Sequence, residues 1–128
     1  MGAMKHTPLT LFGIAHCDTV RKARAWLAAQ GQDCVFHDFG KQGVPPEHLA
    51  LWVQQLGWEA LLNRRGTTWR KLPPGEQERV QDAASAMALM QTHPSVIKRP
   101  VAEWPQQGGQ PRATVGFDAV LWAEWAKA

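Results

Sequence analysis

The chain has 128 residues, 45% hydrophobic and 20% charged, with a net charge of +3 and a pI near 9.2. That length supports one compact domain with a real core, and no apolar run reaches bilayer-spanning length. The basic residues are spread along the chain instead of forming a stripe, so charge alone suits a small anionic ligand as well as a polymer.

No basic–apolar–small pattern marks a secretory signal, and the default expectation is a cytoplasmic protein with no membrane and no nucleic-acid partner. Met1-Gly2-Ala3 reads as an expression scar ahead of a native Met4, so the domain is taken as 4–128. Two cysteines, Cys17 and Cys34, make no disulfide framework.

The chain opens with an apolar run, Leu9–Ile14, then a polar break at His16-Cys17-Asp18-Thr19. Val20, Ala23 and Leu27 follow at i, i+3 and i+7, with Arg21, Lys22 and Arg24 turned outward. This spacing predicts strand, tight turn and helix, with Cys17 where the helix begins. There the sulfur meets unsatisfied backbone N–H groups and the positive end of the helix dipole, which favour the thiolate, the nucleophilic form. His16 and Arg21 flank it as candidates to tune the thiol or bind substrate. Asp18 opposes ionisation, unless it serves the helix cap. Position 20 is Val, so Cys17 has no resolving thiol in its own turn.

Gly31 closes the helix, and Asp33–Phe39 alternates as a second strand, with Cys34 as buried strand filler. Strand–helix–strand implies a parallel pair joined by a right-handed crossover. Gly40–Val44 reads as a loop. Pro45-Pro46 opens a helix with an apolar stripe of Leu49, Trp52, Val53 and Leu56, which Gly57 stops. A short helical piece, Trp58–Asn63, leads into Arg64-Arg65-Gly66-Thr67-Thr68, a candidate anion-binding turn with Trp69 beside it. Solvated polar loop is the competing reading of that turn.

After Pro73-Pro74-Gly75 a helix is expected over about Glu76–Gln91, facing the core with Val80, Ala83, Ala84 and Met87. Val101–Trp104 and Ala113–Phe117 read as an antiparallel hairpin joined by the turn Pro105–Pro111. Asp118 caps a last helix carrying Val120, Leu121, Trp122 and Trp125. The order β-α-β, helices, β-β-α, with a cysteine at the first helix, is that of an α/β thioredoxin-like fold. Such a fold has a four-stranded mixed sheet, and here it would carry a helical insertion at about 45–94. Arg99-Pro100 falls just before the third strand, where such folds hold a proline facing the reactive cysteine; an X-Pro bond is the common place for a cis peptide.

The segments LFGIAHCDTVRKARAWL, GWEALLNRRGTTWRKL, DAASAMALM, IKRPV and VGF, in this order, resemble the arsenate reductase-like (ArsC/Spx) family, most of all its YffB branch. The resemblance implies one nucleophilic cysteine, Cys17, whose mixed disulfide is resolved by glutathione or another thiol. It implies catalytic roles for Arg65 and Arg99, with Arg64 as an adjacent alternative and Pro100 beside the substrate. Arsenate reductases of the family add a third arginine near the last strand; Arg112 is near in sequence, but alignment through VGF puts Gly116 there.

Three functions are therefore weighed. One is a glutathione-dependent monothiol reductase with glutathione as co-substrate and no tightly bound cofactor. A second is an arsenate reductase using glutathione or glutaredoxin on an oxyanion. A third is a Spx-like regulator binding RNA polymerase, against which Val20 stands, since those proteins carry a second cysteine there. A zinc site from His16, Cys17, Cys34 and His37 is disfavoured: His16 and Cys17 are adjacent, and Cys34 and His37 lie on opposite strand faces.

Overall fold

The structure, a computed structural model, describes residues 8–126, so the expected scar at 1–3 lies outside the described residues. In chain order the first elements are β1 (Leu9–Gly13), α1 (Asp18–Ala29) and β2 (Cys34–Asp38). Six helices follow: α2 (Phe39–Gln42), α3 (Pro46–Leu56), α4 (Trp58–Leu61), α5 (Thr67–Lys71), α6 (Pro74–Glu78) and α7 (Ala83–Thr92). A 3-10 turn at Pro94–Val96 leads to β3 (Val101–Trp104), β4 (Arg112–Val115) and α8 (Ala119–Ala126). The chain falls into two compact units, one made of the residues up to His37 with those from Arg99 on, the other of Asp38–Lys98.

The first unit is built on a mixed four-stranded sheet in the order β2-β1-β3-β4. Its fold is thioredoxin-like. β1 pairs antiparallel with β3, Thr10 opposite Glu103 and Phe12 opposite Val101. β3 pairs antiparallel with β4, Val101 opposite Val115 and Trp104 opposite Arg112. Gly116, at φ +84°, ends β4 in the left-handed region that suits glycine, and its N–H donates to the Pro100 carbonyl at 2.8 Å. Two residues on, the Asp118 carboxylate accepts from the N–H groups of Val120 (3.0 Å) and Leu121 (3.2 Å), which is the expected cap of α8.

One face of the sheet carries the core. Leu9 and Leu11 of β1 with Ala102 and Trp104 of β3 pack on Ala23 and Leu27 of α1 and on Trp122 of α8. The Trp122 ring stands edge-on to Phe117, Trp104 and Trp26, with centroids 4.9, 5.3 and 6.1 Å away, the arrangement aromatic quadrupoles favour. The buried Trp104 indole N–H donates to the Thr114 hydroxyl at 3.0 Å, so the cluster buries no unsatisfied indole donor there.

Two expectations for this unit fail. Cys34 is exposed, because β2 is an edge strand whose first residues lie open to solvent. On α8, Val120 (77%) and Leu121 (38%) are exposed and Trp122 alone is fully buried, because consecutive residues point about 100° apart around a helix and the three cannot all face the core.

In the second unit α3 starts at Pro46 as expected and buries Leu49 and Trp52. Residues 39–42, expected as loop, form α2, because the Asp38 carboxylate accepts from the Gly40 N–H at 2.8 Å and caps a turn. The helix expected over 76–91 is two helices. Asp82 and Ser85 form a reciprocal capping box that starts α7 afresh, with the Ser85 N–H donating to Asp82 at 2.9 Å. The register set by that cap buries Ala86 and Met90 in place of the expected Val80, Ala83, Ala84 and Met87. α4 stops at Leu61, since Leu62 leaves the helix to bridge Ile97.

Candidate functional site

β1 runs into a turn in which the Cys17 N–H donates to the Ile14 carbonyl at 3.1 Å. Cys17 is the N-cap of α1, extended at φ −78°, ψ 127°, and its carbonyl accepts from the Arg21 N–H at 2.9 Å. The turn can pass this close to α1 because residue 13 is glycine. A Cβ there would stand 2.8 Å from a methyl of Val20, whose side chain is fully buried. Val20 is thus core, in the position a second active-site cysteine would need.

The half-buried sulfur faces four lowering influences, from three residues, against one raising it. Burial pushes the thiol pKa up. The Val20 N–H, the Arg99 guanidinium through hydrogen bond and charge, and the Thr19 N–H together outweigh it, so Cys17 sits below an ordinary thiol. The expectation of a thiolate at a helix start thus acquires named donors. Two of them are backbone groups that no side-chain motif announces.

Arg99 is half-buried and precedes buried Pro100 through a cis peptide bond, the isomer expected from its place before β3. His16, Arg21 and Arg112 are not among the groups that act on the sulfur. His16 is exposed. Asp18 is the first helical residue and makes no cap; its carboxylate takes Arg21 at 3.3 Å in an exposed i, i+3 pair, an arrangement that contributes a few tenths of a kcal/mol at most. Arg112 lies at the Trp104 end of the β3–β4 hairpin, three residue pairs or about 10 Å from the Val101 end that follows Pro100. Its guanidinium rests on the Trp125 ring at 5.3 Å. Cys34 has the opposite chemistry to Cys17: the residue is exposed as a whole, but partial covering of its sulfur pushes that thiol up, and the Arg24 charge and the Leu11 backbone offset this only in part.

In the second unit, Arg64-Arg65 sits in a tightly built turn. The Asn63 N–H donates to the Val96 carbonyl at 2.7 Å, and the Asn63 side-chain oxygen accepts from the Arg65 N–H at 3.0 Å. Gly66 packs so closely that a Cβ would meet the Asn63 amide at 2.9 Å. Arg64 lies 5.8 Å from the ring centres of both Trp58 and Trp69. Both arginines are exposed. The role of Asn63 escaped the sequence reading, although Asn two residues before a backbone donor is a known turn signal.

A shallow groove of about 300 Å³, lined by Thr10, Glu103, Pro105 and Pro111 among others, lies where β1 starts, at the opposite end of that strand from the Cys17 turn. It holds none of the nominated residues. Among the described residues no cluster of His, Cys, Asp and Glu is placed to hold a metal ion, and no helix is long and apolar enough to cross a membrane.

A thioredoxin-like sheet with an activated cysteine at the start of its first helix defines the class: thiol-based reductases. Residues 12–124 match the model of the ArsC family, and the chain belongs to that family. Within it the likeness is to the YffB branch. The YFFB (PA3664) protein is 41% identical with a TM-score of 0.84, the match covering 92% of this chain and 98% of that one. An arsenate reductase (ArsC) related protein from Brucella melitensis is also 41% identical, with a TM-score of 0.69 and coverage of 98% and 100%. An uncharacterized protein of Haemophilus influenzae is 36% identical over 110 residues, 86% of this chain and 91% of its own length.

Proposed function

We propose that the protein is a glutathione-dependent monothiol reductase of the cytoplasm, with Cys17 as its nucleophile. The observation that carries this reading is the pairing of an activated Cys17 with a fully buried Val20 where a resolving thiol would stand. The Cys17 thiolate attacks the glutathione sulfur of a mixed disulfide R–S–S–glutathione. An S–S bond forms between Cys17 and glutathione, the S–S bond of the mixed disulfide breaks, and the substrate leaves as the thiolate R–S⁻, which takes a proton from water. A free glutathione thiolate then attacks the adduct, releasing the Cys17 thiolate and glutathione disulfide, so that in sum the mixed disulfide and one glutathione thiol become the substrate thiol and glutathione disulfide. Arg99 holds the thiolate as attacking and as leaving group. Arg65 is the arginine that the family likeness offers for a substrate carboxylate, to which a guanidinium fork is suited. Glutaredoxin is the alternative resolving thiol.

Arsenate is the weaker substrate. Gly116 takes the place of the third arginine at φ +84°, a conformation that a residue with a side chain rarely adopts, and Arg112 is at the far end of the hairpin.

Incubation with glutathione disulfide should add one glutathione at Cys17, seen by intact mass and peptide mapping, and none in Cys17→Ser. An unmodified Cys17, or an adduct confined to Cys34, would overturn the reading.

A further inference from the structure

We infer that Gly13 is a positioning residue of the thiolate site: its bare Cα seats the Val20 side chain and so holds the Val20 N–H against the Cys17 sulfur. Three observations carry this. First, glycine at 13 answers to no backbone need. Its φ lies outside the left-handed region, and it is the last residue of β1, where glycine is the costlier choice in chain entropy. What the position requires is space. A Cβ there would meet the two Val20 methyls at 2.8 and 3.7 Å and the Val20 Cβ at 3.8 Å.

Second, Val20 cannot yield. It is fully buried in α1, and a β-branched side chain in a helix has one strongly preferred rotamer, so its methyls cannot swing aside. A shift at this contact passes to the backbone of α1.

Third, nucleophile and donor are anchored on the same end of β1. Cys17 is the N-cap of α1, and the N–H groups that face an N-cap side chain are the second and third of the helix, here Thr19 and Val20. The Cys17 N–H is tied to the Ile14 carbonyl at 3.1 Å, while the Val20 side chain rests on Gly13. Two adjacent residues thus set where sulfur and donor stand relative to each other. Of the two N–H groups, that of Val20 does more to favour the thiolate. The positioning acts on the ionisation of Cys17 and is the same whichever disulfide the thiolate meets.

The test is a double-mutant cycle on the full chain, read as the pH profile of iodoacetamide alkylation at Cys17 by peptide mapping. Gly13→Ala pushes Val20 off the strand, and Val20→Ala takes away the methyls that rest on it. Each should move the midpoint to higher pH and slow alkylation below it about two- to tenfold, the loss of one hydrogen bond. The double variant should return to the profile of the unaltered protein, because the two Cβ atoms then meet at 3.8 Å, an ordinary contact. Arg99, and the exposed His16, Asp18 and Arg21 beside Cys17 in the chain, are the same in all four proteins, so the shift reads the backbone donor.

A purely structural contact would lower the thermal midpoint of the single variants and leave their pH profiles on that of the unaltered protein, which overturns the inference. A double variant displaced as far as the singles overturns it too. If Gly13→Ala does not fold, Val20→Ala and the double variant decide by the same two criteria.

Discussion

Replacing Arg99 with alanine should slow alkylation of Cys17 at neutral pH by on the order of tenfold, the lower end of what a charge-assisted hydrogen bond contributes. The sign follows from the balance at the sulfur. Burial raises the thiol pKa, and it is overcome by the Val20 N–H, the Arg99 hydrogen bond, the Thr19 N–H and the Arg99 charge. Alanine removes two of the four lowering influences and leaves burial in place. The rate profile should therefore move to higher pH while keeping its plateau, since above both midpoints the two proteins are equally ionised. Arg99→Lys keeps the charge but loses the planar fork, and should fall between them. Arg112→Ala, at the far end of the hairpin, should leave the profile where it is. Alkylation rates that coincide for Arg99→Ala and the unaltered protein from about pH 5 to 9 would remove Arg99 from the thiolate site. Linkage adds a stability counterpart. A depressed thiol pKa stabilises the fold at pH above the unfolded value, and that contribution is lost as pH falls through the folded one.

Trp122→Ala should cost about 3–5 kcal/mol of unfolding free energy, read from denaturant midpoints at unchanged slope. The residue is fully buried, and its ring is the shared neighbour of Trp26, Trp104 and Phe117. Truncation leaves three rings without the edge they pack on, as well as a cavity. For a domain whose total stability is of the order of 5–15 kcal/mol, that is a large share. Val120→Ala, two residues away and mostly exposed, should change stability by no more than about 0.5 kcal/mol. A loss under about 1 kcal/mol for Trp122→Ala would mean that the ring cluster is not what holds α8 to the sheet.

The parts of the fold that were legible in the sequence are those fixed by strong local signals. Periodicity placed α1 and α3, Asp118 announced α8, and the Pro/Gly-rich turn announced the hairpin. What was missed depends on sheet order or on side-chain-to-backbone bonds. Cys34 has a core-like residue type, and only the edge position of β2 makes it exposed. The break between α6 and α7 comes from one capping box, which outweighs an otherwise continuous helical pattern. At the site, Cys17 and Arg99 were legible, the first from its place at a helix start and the second through the family likeness. The N–H groups of Thr19 and Val20 carry no signature of their own, and Asn63 passed unnoticed beside two arginines.

The sheet joins residues that are very unequally distant along the chain. In the hairpin, Val101 meets Val115 across about fourteen residues, whereas Phe12 meets Val101 across about ninety. Closing the longer loop costs about 1.5 kcal/mol more in chain entropy, and the first unit is completed only when that loop closes. The order of events should follow: the hairpin forms early and the β1–β3 pairing late. Substitutions at Thr114 should then act mainly on the folding rate and those at Leu11 mainly on the unfolding rate, and the reverse pattern in stopped-flow kinetics would contradict this order. The protein would spend its time on the way to the native state with the Arg99 end of its site organised and the Cys17 end still open.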